Sequence, residues 1–222
     1  MPDAKAADDK GTQRRRLPSE ERRAEFIQKS IRLFAENGFE SSTRELARRL
    51  GVTQPLLYRY FPSKQELVSA VYDEVYVRRW RPEWEDLIAD RSRPVVDRLI
   101  EFYGAYTDAI FHPDWIRIYL YSGLKGEAIN TRYMRVVVSK ILGPIFNEVR
   151  HDMGLPPREP TQLEIDKMWV VHGGIFYFGV VKLVYQKSTP DNKAETIAFG
   201  VRAMVEGLKA ELAAGQAPPR AG

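Results

Sequence analysis

The chain has 222 residues, enough for one large domain or for a small domain joined to a larger one, and enough to bury a core without covalent staples. Its hydrophobic (44%) and charged (29%) fractions exclude global disorder, and its lack of cysteine excludes disulfides, iron–sulfur clusters and thiol nucleophiles. The net charge of +4 is unevenly spread: residues 1–64 carry 14 Lys/Arg against 9 Asp/Glu, and the rest carry 20 against 21.

A basic first third joined to a neutral remainder fits a nucleic-acid-binding module on a partner domain, or else a solvated basic tail. Residues 1–18 are small, polar and charged and are expected to form a disordered arm. Without an apolar segment this arm is no export signal, and a cytoplasmic location is expected. Ser19, Glu20 and Glu21 then predict a helix start, and Ala24, Ile27, Ile31 and Phe34 recur at helical spacing as far as Asn37-Gly38. A short helix is expected from Thr43, taken as its cap, to Gly51. Another is capped by Thr53 with Pro55 in its first turn, and a fourth starts at Ser63 and runs to about Trp80.

Further helices are expected around Trp84–Ile88, from Pro94 to Ile110 and over Asp114–Leu124. Another covers Met134–Met153 with a kink at Gly143-Pro144, and two more span Thr161–Tyr185 and Asp191–Leu212. The longest near-apolar stretch, Met168–Val181, is 14 residues and falls short of a membrane span. The expected fold class is all-α.

Thr43–Phe61 has the layout of a helix-turn-helix. Leu46, Leu50, Val52, Leu57 and Phe61 can bury two short helices against each other, and Gly51 permits the sharp turn. Thr53, Gln54, Pro55, Tyr58 and Arg59 are left exposed. Gln suits an adenine edge, Arg a guanine or phosphate, Pro a thymine methyl, and Thr and Tyr hydroxyls a phosphate. The bland alternative is a plain three-helix core with a polar outer face. The run from Ser42 to Leu67, STRELARRLGVTQPLLYRYFPSKQEL, resembles the tetracycline-repressor (TetR) family of bacterial regulators, most specifically from Leu57 to Lys64.

The resemblance covers residues 19–75 and implies a role for each matching position. Thr43 would cap its helix and bond a phosphate, and Arg44 would reach a base edge or phosphate. Thr53 would open the recognition helix, with Gln54 and Pro55 facing bases. Leu56 departs from the tetracycline repressor, which has a hydroxyl residue there. Tyr58 would bond phosphate and Arg59 a base or phosphate, while Tyr60 is either a phosphate contact or a packing residue. Lys64 would neutralise a phosphate. Arg48 and Arg49 read as a solvated face, and Arg14, Arg15 and Arg16 either enter a minor groove or add non-specific attraction.

The implied organisation is a disordered arm (1–18), a three-helix helix-turn-helix DNA-binding domain (19–64), an effector-binding and dimerisation domain (65–214) entered through a connecting helix, and a disordered tail (215–222). Two recognition helices of a homodimer would read a pseudo-palindromic double-stranded DNA operator. Ile175, Phe178, Val201, Val205 and Leu208 are the candidate dimer residues. Phe102, Tyr103, Tyr106, Trp115, Tyr119, Phe146, Trp169, His172 and Phe176 are the candidate pocket for a small apolar or aromatic effector, or else ordinary core. No phosphate loop, His-Glu metal motif or acid–base pair suggests an enzyme, and no metal or cofactor is expected. The expected function is a ligand-responsive transcriptional regulator, which the resemblance implies to be a repressor, with a DNA-binding architectural protein as the rival.

Overall fold

Eleven α-helices and two π turns make up the described residues of a computed structural model, which cover 19–125, 128–187 and 192–215. The arm with Arg14–Arg16 and the tail from 216 onward lie outside them. Helix α1 spans Ser19–Asn37, α2 Thr43–Leu50, α3 Gln54–Tyr60 and α4 Lys64–Tyr72. Next come α5 (Glu83–Ala89), α6 (Val95–Ile110), α7 (Pro113–Leu124), α8 (Ala128–Val137) and α9 (Gly143–Asp152). Helices α10 (Gln162–Leu183) and α11 (Lys193–Ala214) complete the fold, and no strand occurs among the described residues.

The caps explain where the N-terminal helices start. Ser42, not Thr43, caps α2: its hydroxyl accepts from the Glu45 amide at 3.2 Å, so Thr43 is already a helical residue. Thr53 and Ser63 cap α3 and α4 as expected, accepting from the Leu56 and Glu66 amides. Gly51 ends α2 at φ 70°, a left-handed conformation that an L side chain pays to adopt. Thr161 and Glu164 form a complete capping box at the start of α10.

Two expected helices are interrupted in an unexpected way. The expected fourth helix changes at Tyr72 into a π turn over Asp73–Val77, closed by the Arg78 amide donating to the Asp73 carbonyl at 2.9 Å. The expected kink at Gly143-Pro144 takes the form of a π turn over Val138–Leu142, just before the proline. Pro144 has no amide to give and its ring crowds the preceding turn, which accounts for the widening there.

The core is continuous from α1 to α11. Helix α1 packs on α2 and α4 and also on α7. Gly38, at φ 68°, lies under the Tyr121 ring, where a Cβ would come within 3.1 Å. Lys125 pairs with Glu40 beside it. The helix-turn-helix therefore rests on the larger helical body through both α4 and the α1–α7 contact.

Candidate nucleic-acid interface and ligand region

Leu57 and Phe61 are buried and anchor α3, which turns Gln54, Pro55, Tyr58 and Arg59 outward or toward α2. Freed from capping, the Thr43 hydroxyl meets both Tyr58 Oη, at 3.1 Å, and Gln54 Nε2, which donates to it at 3.2 Å. These contacts hold the Tyr58 hydroxyl below its ordinary pKa, Thr43 contributing most and Gln54 next. One Gln54 N–H is thus used within the protein. Turned toward a base, its Oε1 and an N–H make the acceptor–donor pair that the N6 and N7 of adenine require.

The other candidate residues differ in how free they are. Arg44 and Arg59 are exposed, and neither forms an ion pair among the described residues. Arg59 lies over the Tyr60 ring at 5.5 Å, and that ring meets Phe26 edge-on at 5.2 Å, so Tyr60 packs against α1. The Lys64 ammonium is turned inward onto the Phe39 carbonyl, tying the start of α4 to the α1–α2 turn. Arg48 and Arg49 both bind Glu45, at 2.6 and 2.7 Å, and hold its carboxyl down to about 2, Arg48 most strongly.

The larger body brings most of the candidate pocket residues into one network of rings. Tyr103 and His172 pair at 3.0 Å through the hydroxyl and Nδ1, and Trp169 lies against the His172 ring at 5.2 Å. Trp115, Tyr119 and Phe176 pack together, with centroids 5.1 to 6.1 Å apart. Phe102 stacks on Tyr106 at 5.6 Å. Phe146 stands apart from these rings, under the guanidiniums of Arg150 and Arg158. Burial pushes the His172 imidazole down to about 4 and the Tyr103, Tyr106 and Tyr133 hydroxyls well up. These four groups are therefore neutral at pH 7.

Sequence reasoning missed Tyr76 and Tyr133. Tyr133 joins the two groups of rings, bonding Tyr106 through its hydroxyl at 2.6 Å and meeting Trp115 at 5.2 Å. The i, i+4 spacing of Tyr72 and Tyr76 was the available signal.

The dimer candidates lie mostly on the inward side of α10 and α11. Ile175, Val201, Val205 and Leu208 are buried within the protomer, where they pack α10 and α11 into its own core; Phe178 is half-buried. Helical periodicity picked out the inward stripe. The outward apolar residues are Leu163, Val170, Tyr177 and Phe199, with Val170 75% and Phe199 72% exposed. A shallow groove of about 170 Å³ lies between the two helices, with Val171, Ala203 and Gly207 on its walls. Gly179 faces inward, against Phe111.

These observations define a helix-turn-helix domain with an exposed polar face, carried on an all-helical body. Residues 26–71 match the family model described as bacterial regulatory proteins, tetR family. The HTH-type transcriptional repressor Rv3405c of Mycobacterium tuberculosis is 33% identical over 96 residues, 42% of this chain and 49% of that protein. The HTH-type transcriptional activator FasR of Mycolicibacterium smegmatis is 40% identical over 57 residues, 25% of this chain and 26% of that protein. The chain thus spans about half the length of the first relative and a quarter of the second. A tetR-family transcriptional regulator from Streptomyces coelicolor has the same fold, with a TM-score of 0.56 at 21% identity over 90% of this chain and 85% of its own. Residues 26–71 are thus similar to the DNA-binding segment of tetR-family regulators, and the whole described chain shares their all-helical fold. No group of three or more His, Asp or Glu suited to a metal occurs among the described residues, and no helix there is long and apolar enough to cross a membrane.

Proposed function

We propose that the protein is a sequence-specific DNA-binding transcriptional regulator that works as a homodimer and is released from its operator by a small apolar or aromatic ligand. The observation that carries the DNA reading is the Gln54 amide, held by Thr43 at the first turn of α3 beside the exposed Pro55, Tyr58 and Arg59. Pro55 and Arg59 flank it on the same face, Arg44 adds a cation from α2, and Thr53 and Tyr58 supply hydroxyls for phosphate. Lys64 reaches a phosphate only by leaving the Phe39 carbonyl, so its part in binding is secondary.

One α3 reads few base pairs, and a second copy adds a half-site one helical turn away. The exposed apolar side of α10 and α11 supports this pairing, because Val170, Tyr177 and Phe199 gain from leaving water. The domain division at about residue 64, the ligand in the larger body, repression rather than activation and a cytoplasmic location belong to the same reading. The repressor name of the relative with the longer match favours repression.

Selection of bound duplexes from a random pool tests the proposal. Enrichment of an inverted repeat, with half-sites about 10 base pairs apart, is expected. Uniform retention across sequences would favour an architectural role and overturn specific reading.

A further inference from the structure

We propose that the tip of α7 is a second mount for the helix-turn-helix, in which Tyr121 and the Lys125–Glu40 pair act as positioning residues that set the separation of the two half-sites the protein accepts. The inference rests on the homodimer reading above and goes further by naming residues of the larger body that decide operator spacing without touching DNA.

The mount grips the turn between α1 and α2. The last carbonyls of a helix have no partners within it. At the end of α1 the Phe34 carbonyl accepts from the Gly38 amide at 2.9 Å, and the Leu33 carbonyl from the Asn37 side chain at 3.2 Å. The Glu36 carbonyl is served from outside, by the Tyr121 hydroxyl over a long 3.5 Å. The Tyr121 ring rests on Gly38, where a Cβ would come within 3.1, 3.4 and 3.6 Å of three ring carbons. Two separate demands, a left-handed backbone at φ 68° and the ring above it, both call for glycine there. Two residues on, Glu40 pairs with Lys125, which ends α7. Tyr121 and Lys125 are four residues apart and so share one face of that helix.

The gripped turn moves as part of the reading domain. Phe39 is buried and stacks on Phe34 at 4.7 Å, and its carbonyl takes the Lys64 ammonium. Just beyond Glu40 stands Thr43, whose hydroxyl meets Gln54 and Tyr58. At the far side, Tyr60 at the end of α3 packs on Phe26, about 18 Å along α1 from Gly38 at about 1.5 Å per residue. Over that lever a tilt of about 11° shifts the end of α3 by about 3.4 Å, one base-pair step.

Packing on α4 alone would leave the reading domain free to pivot about one helix. A second attachment, on α7, removes that motion. Both recognition helices of a dimer then engage together only where the half-sites match the fixed separation. The ring carries more of this than the charges do, because the Lys125 and Glu40 side chains are 47% and 70% exposed and such pairs are weak.

The test is binding selection with the full-length protein, on duplex pools that vary the spacer between the selected half-sites one base pair at a time. The proteins are wild type, Tyr121→Ala, Lys125→Glu and the double variant Glu40→Lys with Lys125→Glu. The wild type should favour one spacer over its neighbours by about tenfold or more. Tyr121→Ala should bring the neighbours within about threefold. Lys125→Glu, which sets two carboxylates side by side, should weaken the preference by about threefold, and the charge-swapped double variant should regain it. Base preference inside each half-site should stay as in the wild type throughout, whereas a purely structural role would weaken binding evenly at every spacer.

Lys125→Glu alters an exposed side chain, so it and the swap carry the test if Tyr121→Ala is too unstable to assay. A spacer profile unchanged in Lys125→Glu or in folded Tyr121→Ala would overturn the mount. So would an even loss at all spacers, a changed base preference, or a double variant no more selective than Lys125→Glu, each leaving the dimer reading intact. If the wild type enriches no inverted repeat at any spacer, the dimer reading fails and this inference with it.

Discussion

The molecule holds two sets of hydrogen-bonding side chains, built in opposite ways. On α2 and α3, Thr43, Gln54 and Tyr58 are joined near the surface, where water can replace each bond. In the larger body Tyr103, His172, Tyr106 and Tyr133 pair among rings and out of water, and Tyr76 is left alone. Surface bonds add little to stability but leave donors and acceptors available to a partner. Buried ones fix protonation, because charging any of them means charging the interior. Similar groups are therefore left within reach of a partner in one region and closed off from water in the other.

The sharpest way to break this contrast is to cut into each region. Trp115→Ala removes a buried ring that touches Tyr76, Tyr119, Tyr133 and Phe176. It should cost about 3–5 kcal/mol in urea unfolding. Tyr58→Ala on the exposed face should cost less than about 1 kcal/mol in the same assay. Equal losses would mean that the two regions are not built differently.

Acid should distinguish them next. His172 is neutral when folded, with a pKa near 4 against 6.5 for the free group, so the unfolded chain takes up a proton first as pH falls. Its contribution is complete above pH 6.5 and is lost between 6.5 and 4, on the order of 3 kcal/mol in all. Urea midpoints across that range should fall more steeply in the wild type than in His172→Gln. Parallel profiles would place the acid sensitivity elsewhere.

Much of the fold was legible in the sequence because the caps and breaks are local. Thr53, Ser63, Thr161, Pro94 and Gly51 mark helix ends by their own chemistry. The α2 cap was misplaced because Ser42 and Thr43 are both good caps and only the backbone conformation distinguishes them. The π turn after α4 had no local signal at all. For the reading face, spacing indicated which residues point outward; that Thr43 serves Gln54 depends on the crossing of two helices. For α10 and α11 the apolar pattern is two-sided, and the stripe chosen for the dimer was the one the protomer keeps for itself.

Smaller effects sharpen the surface half of the contrast. Thr43→Val removes the bond that orients Gln54 and should reduce preference for its base by about 1 kcal/mol, while Thr43→Ser keeps it. Competition binding with single-base operator variants checks this, and equal losses in the two variants would remove the orienting role. Arg48→Ala breaks an exposed pair with Glu45 and should change stability by less than about 0.5 kcal/mol. A larger shift in the urea midpoint would show that this face is more than solvated.

The most direct test of the central claim, that Gln54 reads sequence from the exposed end of α3, is a two-by-two titration. Wild type and Gln54→Ala are each measured against the selected operator and against operators with one adenine replaced in each half-site. At one adenine position the wild type should lose about 1–3 kcal/mol per replaced contact and the variant almost nothing. If Gln54→Ala discriminates every position as strongly as the wild type does, Gln54 is not a base reader and the interface assigned to α3 is wrong.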